Sequence, residues 1–217
     1  GVTAAKGFKA AGMHAGIKKG TKKDMAMIVS SAPCMAAGTF TTNLVKAAPV
    51  KWDQHVVYEH GEARAVVVNS GIANACTGAE GYGYCEETAK AAAEALGIDK
   101  DEVLVASTGV IGKQLPIDTI KKGVKDLSGL LLDTREAATL AAESIMTTDT
   151  VKKEVAVEVE IGGKTVTIGG MCKGSGMIHP NMCTMLAFVT TDLAISKELL
   201  QEALSANVKA VSYTHLR

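Results

Sequence analysis

Residues 64–111 read RAVVVNSGIANACTGAEGYGYCEETAKAAAEALGIDKDEVLVASTGVI and hold a strand, a helix and a second strand in one run. Residues 64–69 form a short apolar run suited to a buried strand. They lead into NSGIANACTG, a loop of small and polar residues. Residues 84–96 carry the clearest helical pattern in the chain, and Gly97 stands where a C-cap belongs. Residues 101–106 read as another buried strand, which runs into Ser107-Thr108-Gly109-Val110-Ile111-Gly112.

The same alternation extends outward in both directions. Upstream, residues 24–30 (DMAMIVS) suit a strand, and residues 34–42 read as a second one after Pro33. Downstream, Pro116 is placed for a helix start, so residues 117–127 and then 134–146 are expected to be helical. Residues 154–160 and 164–168 alternate strictly around Gly162-Gly163, which predicts a hairpin with a Gly-Gly turn. A further buried strand is expected over 185–189, and Ser196 caps a last helix reaching Leu204. Strands and helices interleave while the hairpin requires antiparallel pairing, so the class is α/β, with sheets covered by helices.

Composition narrows the function. Among 217 residues, 23 basic and 23 acidic side chains balance, so the basic excess of a nucleic-acid binder is missing. The densest basic run, Lys18, Lys19, Lys22 and Lys23, reads as a solvated turn. No apolar stretch approaches the roughly 18 residues of a spanning helix, and no secretory signal opens the chain. The five cysteines (Cys34, Cys76, Cys85, Cys172 and Cys183) are odd in number and irregularly spaced, which fits a reducing, cytoplasmic setting. They form no Cys-x-x-Cys pair, the histidines show no ligand spacing, and no metal is expected.

Several glycine signatures fail on counting. A P-loop needs glycine five residues before its Gly-Lys pair, and Glu158 and Ser107 stand there instead. A dinucleotide fingerprint starting from Gly174 and Gly176 meets His179, and one from Gly81 and Gly83 meets Glu86. Ser175 lies between adjacent glycines, which is not a nucleophile elbow.

The chemistry-bearing segment is residues 173–192, KGSGMIHPNMCTMLAFVTTD. Gly174, Ser175 and Gly176 let the backbone approach a small ligand, and Lys173 puts a cation beside it. Pro180-Asn181 forces a turn, and Thr184 then stands at the mouth of an apolar strand. On spacing alone a threonine there is an ordinary strand-edge residue. Cleavage of the Cys183–Thr184 bond would give it a free α-amine beside its own hydroxyl. Such an amine has a pKa of about 7.7–8.0 and can act as a base near neutrality.

KGSGMIHPNMCTML resembles the self-processing motif of the glutamate N-acetyltransferase (ornithine acetyltransferase) family, with Cys183 where alanine is usual. Three further stretches match in the same order. Residues 1–30 resemble the family's opening, TFTTNLVKAAPV its early strand and turn, and NSGIANACTGAEG its asparagine-rich loop, with Ile72 where asparagine is expected. The likeness runs to about Leu204.

The resemblance implies an αββα-type layered sandwich with mixed and antiparallel sheets. It divides the chain at the cleavage point, with residues 1–183 as the α-chain-like part and 184–217 as the truncated start of a β chain. Thr184 becomes both the autolytic residue and the acetyl-accepting nucleophile, and Thr108 and Gly109 the oxyanion hole. A hydroxyl and a backbone N–H at a strand end suit that task, since removing one such donor costs about 2.7–4 kcal/mol. Lys173 and Thr147 are matched to substrate-binding positions.

The expected reaction moves an acetyl group from N-acetylornithine to glutamate through acetyl-Thr184, in arginine biosynthesis. It needs no dissociable cofactor, although some family members also accept acetyl-CoA. The expected partner is the protein's own β chain, in an α2β2 heterotetramer. Two other readings stay open: an N-terminal-nucleophile amidohydrolase or aminopeptidase, and a non-catalytic module holding a small carboxylate on the KGSG turn.

Overall fold

The computed structural model describes residues 1–174 and 185–211. The elements are β1 (Phe8–Met13), β2 (Met25–Met35), α1 (Ala48–His55), β3 (Glu62–Ile72), α2 (Glu80–Leu96), β4 (Val103–Val110), α3 (Ile117–Ser128), α4 (Arg135–Ser144), β5 (Lys153–Ile161), β6 (Lys164–Lys173), β7 (Leu186–Thr191) and α5 (Lys197–Val211). One sheet has the order β1-β2-β3-β4 and the other β5-β6-β7. β1, β2 and β3 pair antiparallel, whereas β3 and β4 run parallel across the α2 crossover. The second sheet is antiparallel throughout. The protein is thus α/β and layered, with mixed and antiparallel sheets.

Successive residues of the central strands serve different layers. Met25, Met27, Val67 and Val105 join a core with Trp52, Cys85, Ala89, Ile120 and Leu127, under α1, α2 and α3. Their neighbours Ala26, Ile28, Val68 and Ala106 face the other way and meet Ala138, Ala141, Ala142 and Ile145 of the α4 region, with Val2 and Met171. Both faces of these strands are therefore covered, which is why they read as continuous apolar runs rather than as alternation. The alanines let α4 lie close on β1, so close that a side chain at Gly12 would collide with the Leu140 carbonyl. Met171 carries the second core onto the second sheet.

Most expected elements are present, with shifted ends. α2 starts at Glu80 rather than 84, and Gly97 closes it in the left-handed region (φ 67°), its N–H donating to Ala93 O at 2.8 Å. Gly162 and Gly163 both have positive φ (59° and 75°), as a tight hairpin requires. Three expectations need correction. The strand placed over 34–42 is the tail of β2, which ends at Met35 after a register shift between Val29 and Cys34. Pro33 has no N–H to give a ladder and sits inside that irregularity. The TFTTNLVKAAPV stretch holds no strand, and α1 begins within it at Ala48, with Pro49 in its first turn. The last helix continues past Leu204 to Val211.

Candidate active site

The parallel rungs of β3 and β4 set the first half of the site. Ser70 pairs with Thr108 and Gly71 with Gly109. Gly109 has φ 136° and Gly71 φ 109°, and a Cβ on Gly109 would run into the Gly71 carbonyl. Only glycine allows the two strand ends to approach in this way. Asn69 and Ser107, on the preceding rung, lock the pair. Ser107 Oγ donates to Asn69 Oδ1 at 2.6 Å, and Asn69 Nδ2 donates to Ile72 O at 2.8 Å. Thr108 is buried.

A loop from β1 packs on this corner, and a carboxylate holds it there. Asp24 is fully buried and accepts backbone N–H bonds from Ala15 (2.6 Å), Ile17 (2.7 Å) and Lys18 (2.8 Å). Three N–H groups converging on one anion compensate its burial. The bonds turn Lys18 inward, where its stem lies so close to Gly71 that a Cβ there would stand 3.0 Å from Lys18 Cγ. Lys18 Nζ then donates to Met146 O at 2.6 Å and Lys23 O at 2.8 Å. Burial lowers its pKa, with Asp24 opposing. The basic run is accordingly not a uniform solvated turn: Lys19 and Lys22 are exposed, but Lys18 is structural.

The Met146 carbonyl leads directly to Thr147, whose N–H donates to Asp149 Oδ2 at 3.3 Å. Asp149 Oδ1 accepts from Lys153 Nζ (2.7 Å) and from the Gly174 N–H (2.9 Å). Lys173 Nζ lies 3.8 Å from Asp149 Oδ2, with both side chains 2% exposed, and donates to Gly174 O at 2.7 Å. Burial pushes the Lys173 pKa down, against the pull of Asp149. For Asp149, burial acts to raise the pKa, but the bonds from Lys153, Gly174 and Thr147 and the Lys173 charge outweigh it and hold the carboxyl below its ordinary value.

A continuous path of contacts therefore joins Gly109 to Gly71, Lys18, Met146, Thr147, Asp149 and Lys173. It runs through three of the four site residues expected within the described chain, Gly109, Thr147 and Lys173, and the fourth, Thr108, directly precedes Gly109 on β4. Thr184 and Cys183 lie outside the described residues. The sequence reading missed Asp24 and assigned Lys18 only to a solvated turn. Among the described residues, no group of three or more His, Cys, Asp and Glu side chains is gathered as metal ligands would be. No helix among them is long and apolar enough to cross a membrane.

A sequence model of the ArgJ family matches residues 9–216, past the Leu204 at which the likeness was expected to stop. The arginine biosynthesis bifunctional protein ArgJ of Symbiobacterium thermophilum is 56% identical over 206 residues, 94% of this chain and 50% of the relative. The chain spans about half the length of the curated relatives it matches. A crystal structure of the ArgJ protein of Bacillus halodurans superposes with a TM-score of 0.79 at 46% identity, over 84% of this chain and 94% of that one. Ornithine acetyltransferase of Mycobacterium tuberculosis, solved with ornithine, gives a TM-score of 0.74 at 43% identity, over 82% and 93%.

Proposed function

The chain belongs to the ArgJ family, and from that premise we propose that it supplies the nucleophile and oxyanion hole of an enzyme moving acetyl from N-acetylornithine to glutamate. The observation that carries this is the contact path that ends at Gly174, the residue before the Ser175–Thr184 segment. Resemblance names Thr108 and Gly109, Thr147 and Lys173 from three separate stretches, and the contacts through Lys18, Met146 and Asp149 that run between those stretches support reading them as one site.

The cycle begins with self-cleavage between Cys183 and Thr184, which frees the Thr184 α-amine. That amine takes the hydroxyl proton while Oγ attacks the acetyl carbonyl of N-acetylornithine. The oxyanion forms against the Thr108 hydroxyl and the Gly109 N–H, donors fixed by the β3–β4 pairing before the substrate arrives. Collapse breaks the C–N bond, returns the proton to the departing ornithine amine and leaves an acetyl ester on Thr184. The glutamate amine then attacks the ester and restores the hydroxyl. Lys173 offers its ammonium to a substrate carboxylate, with Thr147 beside it. Every group is supplied by the polypeptide, so the scheme calls for no dissociable cofactor, and acetyl-CoA enters only as an alternative donor.

Two further facts support a cut at Thr184. The chain covers about half of the curated relatives yet more than nine-tenths of the polypeptides in the two similar crystal structures. That proportion suits relatives made as one chain and found as two. The division at 183/184 and an α2β2 assembly with the second chain belong to the same proposal, as does a cytoplasmic setting.

Intact-mass analysis of the full-length protein beside Thr184→Ala tests it. The parent should split, with its second chain starting at Thr184, and the variant should stay whole. Full transferase activity in an uncut parent would defeat amine activation. Ornithine release at full rate without glutamate would make the enzyme a hydrolase instead.

A further inference from the structure

The Asp149 carboxylate receives four donors from three parts of the chain, and three of them, on Thr147, Lys173 and Gly174, bear on the proposed site. On Oδ2 it holds the Thr147 N–H at 3.3 Å and faces the Lys173 ammonium at 3.8 Å. On Oδ1 it holds the Gly174 N–H at 2.9 Å and Lys153 Nζ at 2.7 Å. Its side chain is 2% exposed, so solvent does little to screen these contacts. A turn with only a capping need would use the Thr147 N–H alone. The other three donors come from the beginning of β5 and the end of β6.

We propose that Asp149 is a positioning residue for both self-cleavage and substrate binding. It fixes the end of β6 from which the scissile segment departs, and with the same carboxylate it aims Lys173 and Thr147. The inference rests on the acyl-transfer reading above. Gly174 is the last residue before that segment, and its N–H bond to Asp149 holds the end of β6 at that point. Lys173 is buried beside a single carboxylate, and without Asp149 its ammonium would turn to other acceptors or lose its proton. Asp149 touches no reacting atom in this scheme. It acts through Lys173, Thr147 and Gly174.

Asp149→Asn is the informative variant, because its Oδ1 can still accept from Lys153 and Gly174 while its amide would face the Thr147 N–H and the Lys173 ammonium with a donor. In the full-length protein, cleavage before Thr184 should slow at least about tenfold, the factor expected for losing a charge-assisted bond. In material that has cleaved, KM for the amino-acid substrates should rise about tenfold with kcat within about threefold. Ile120→Val, in the core on the far side of the first sheet, serves as a stability control and should lower Tm while leaving cleavage and KM at parental values.

Parental cleavage and KM in folded Asp149→Asn overturn the inference, as does an equal loss in Ile120→Val. If Asp149→Asn fails to fold, Asp149→Glu keeps the charge, moves it by one methylene and is judged by the same two readouts. A parent that neither cleaves nor transfers acetyl would instead defeat the acyl-transfer reading, so the two failures are distinguishable.

Discussion

At the scale of single residues, the site depends on backbone room and on buried charge. Gly109 combines φ 136° with a Gly71 carbonyl in the space a methyl would need. Gly109→Ala should therefore destabilise the protein by about 2 kcal/mol or more in denaturant titration and remove transfer activity. Two aspartates should respond to pH in opposite directions. Asp149 is held below its ordinary 3.8, so it adds stability above that pH and loses it as pH falls through the lowered value. Asp149→Asn should flatten the acid limb of the stability curve below about pH 4. Asp53 is partly exposed as a residue, yet its carboxyl points inward, where burial lifts its pKa well above the ordinary value against one bond from the Val105 N–H at 2.9 Å. Its folded state favours the protonated form, so stability is greatest at low pH and declines as pH rises through the raised value. Asp53→Asn, which keeps an acceptor for Val105, should match the parent near pH 3 and be more stable than it at pH 7. Equal stability at both pH values would refute that assignment. Thr108 and Lys173 could be singled out as candidates because a short motif surrounds each. Asp24 and Lys18 could not, since their work lies in bonds to backbone groups as far away as Met146, and such bonds leave no spacing pattern.

Elements with their own local chemistry were readable in the sequence. The Gly162-Gly163 turn, the Gly97 cap and the strict alternation on either side of the hairpin each need only neighbouring residues. Replacing Gly162 and Gly163 together with alanine should cost about 2 kcal/mol, near 1 for each positive φ, whereas Asn-Gly in the same places should be close to neutral. Thermal melts of the three proteins would decide it. β1 was missed for an instructive reason. FKAAGM has small residues and a glycine next to its end, both poor strand formers, and it is a strand because β2 lies on one side and α4 rests on Gly12. The Pro33 irregularity splits what looked like two strands, yet the pairing of Cys34 and Met35 with β3 joins them. Tertiary contacts made these decisions, and they are invisible in a window of a few residues.

For the molecule as a whole, the fold has a consequence for the proposed cut at Thr184. β6 precedes that position and β7 follows it, and the two pair over six rungs from Ile168↔Thr191 to Lys173↔Leu186. The end of β7 and the residue after it are held by the opposite end of the chain as well. Thr190 Oγ1 donates to Val2 O at 2.7 Å, and Asp192 accepts from the Thr167 N–H at 2.8 Å and the Lys6 N–H at 3.2 Å. Cleavage should therefore produce two polypeptides that remain one folded body. After cleavage they should co-elute in native size-exclusion chromatography and separate only where urea unfolds the second sheet. Asp192→Ala removes two bonds at the end of β7 without touching the proposed catalytic groups. It should lower the urea concentration at which the pieces part, with the rate of cleavage unchanged. Spontaneous separation of the cleaved chains in native buffer would contradict the β6–β7 pairing as the link across the cut. A slower cut in Asp192→Ala would show that the ladder also shapes the segment being cleaved.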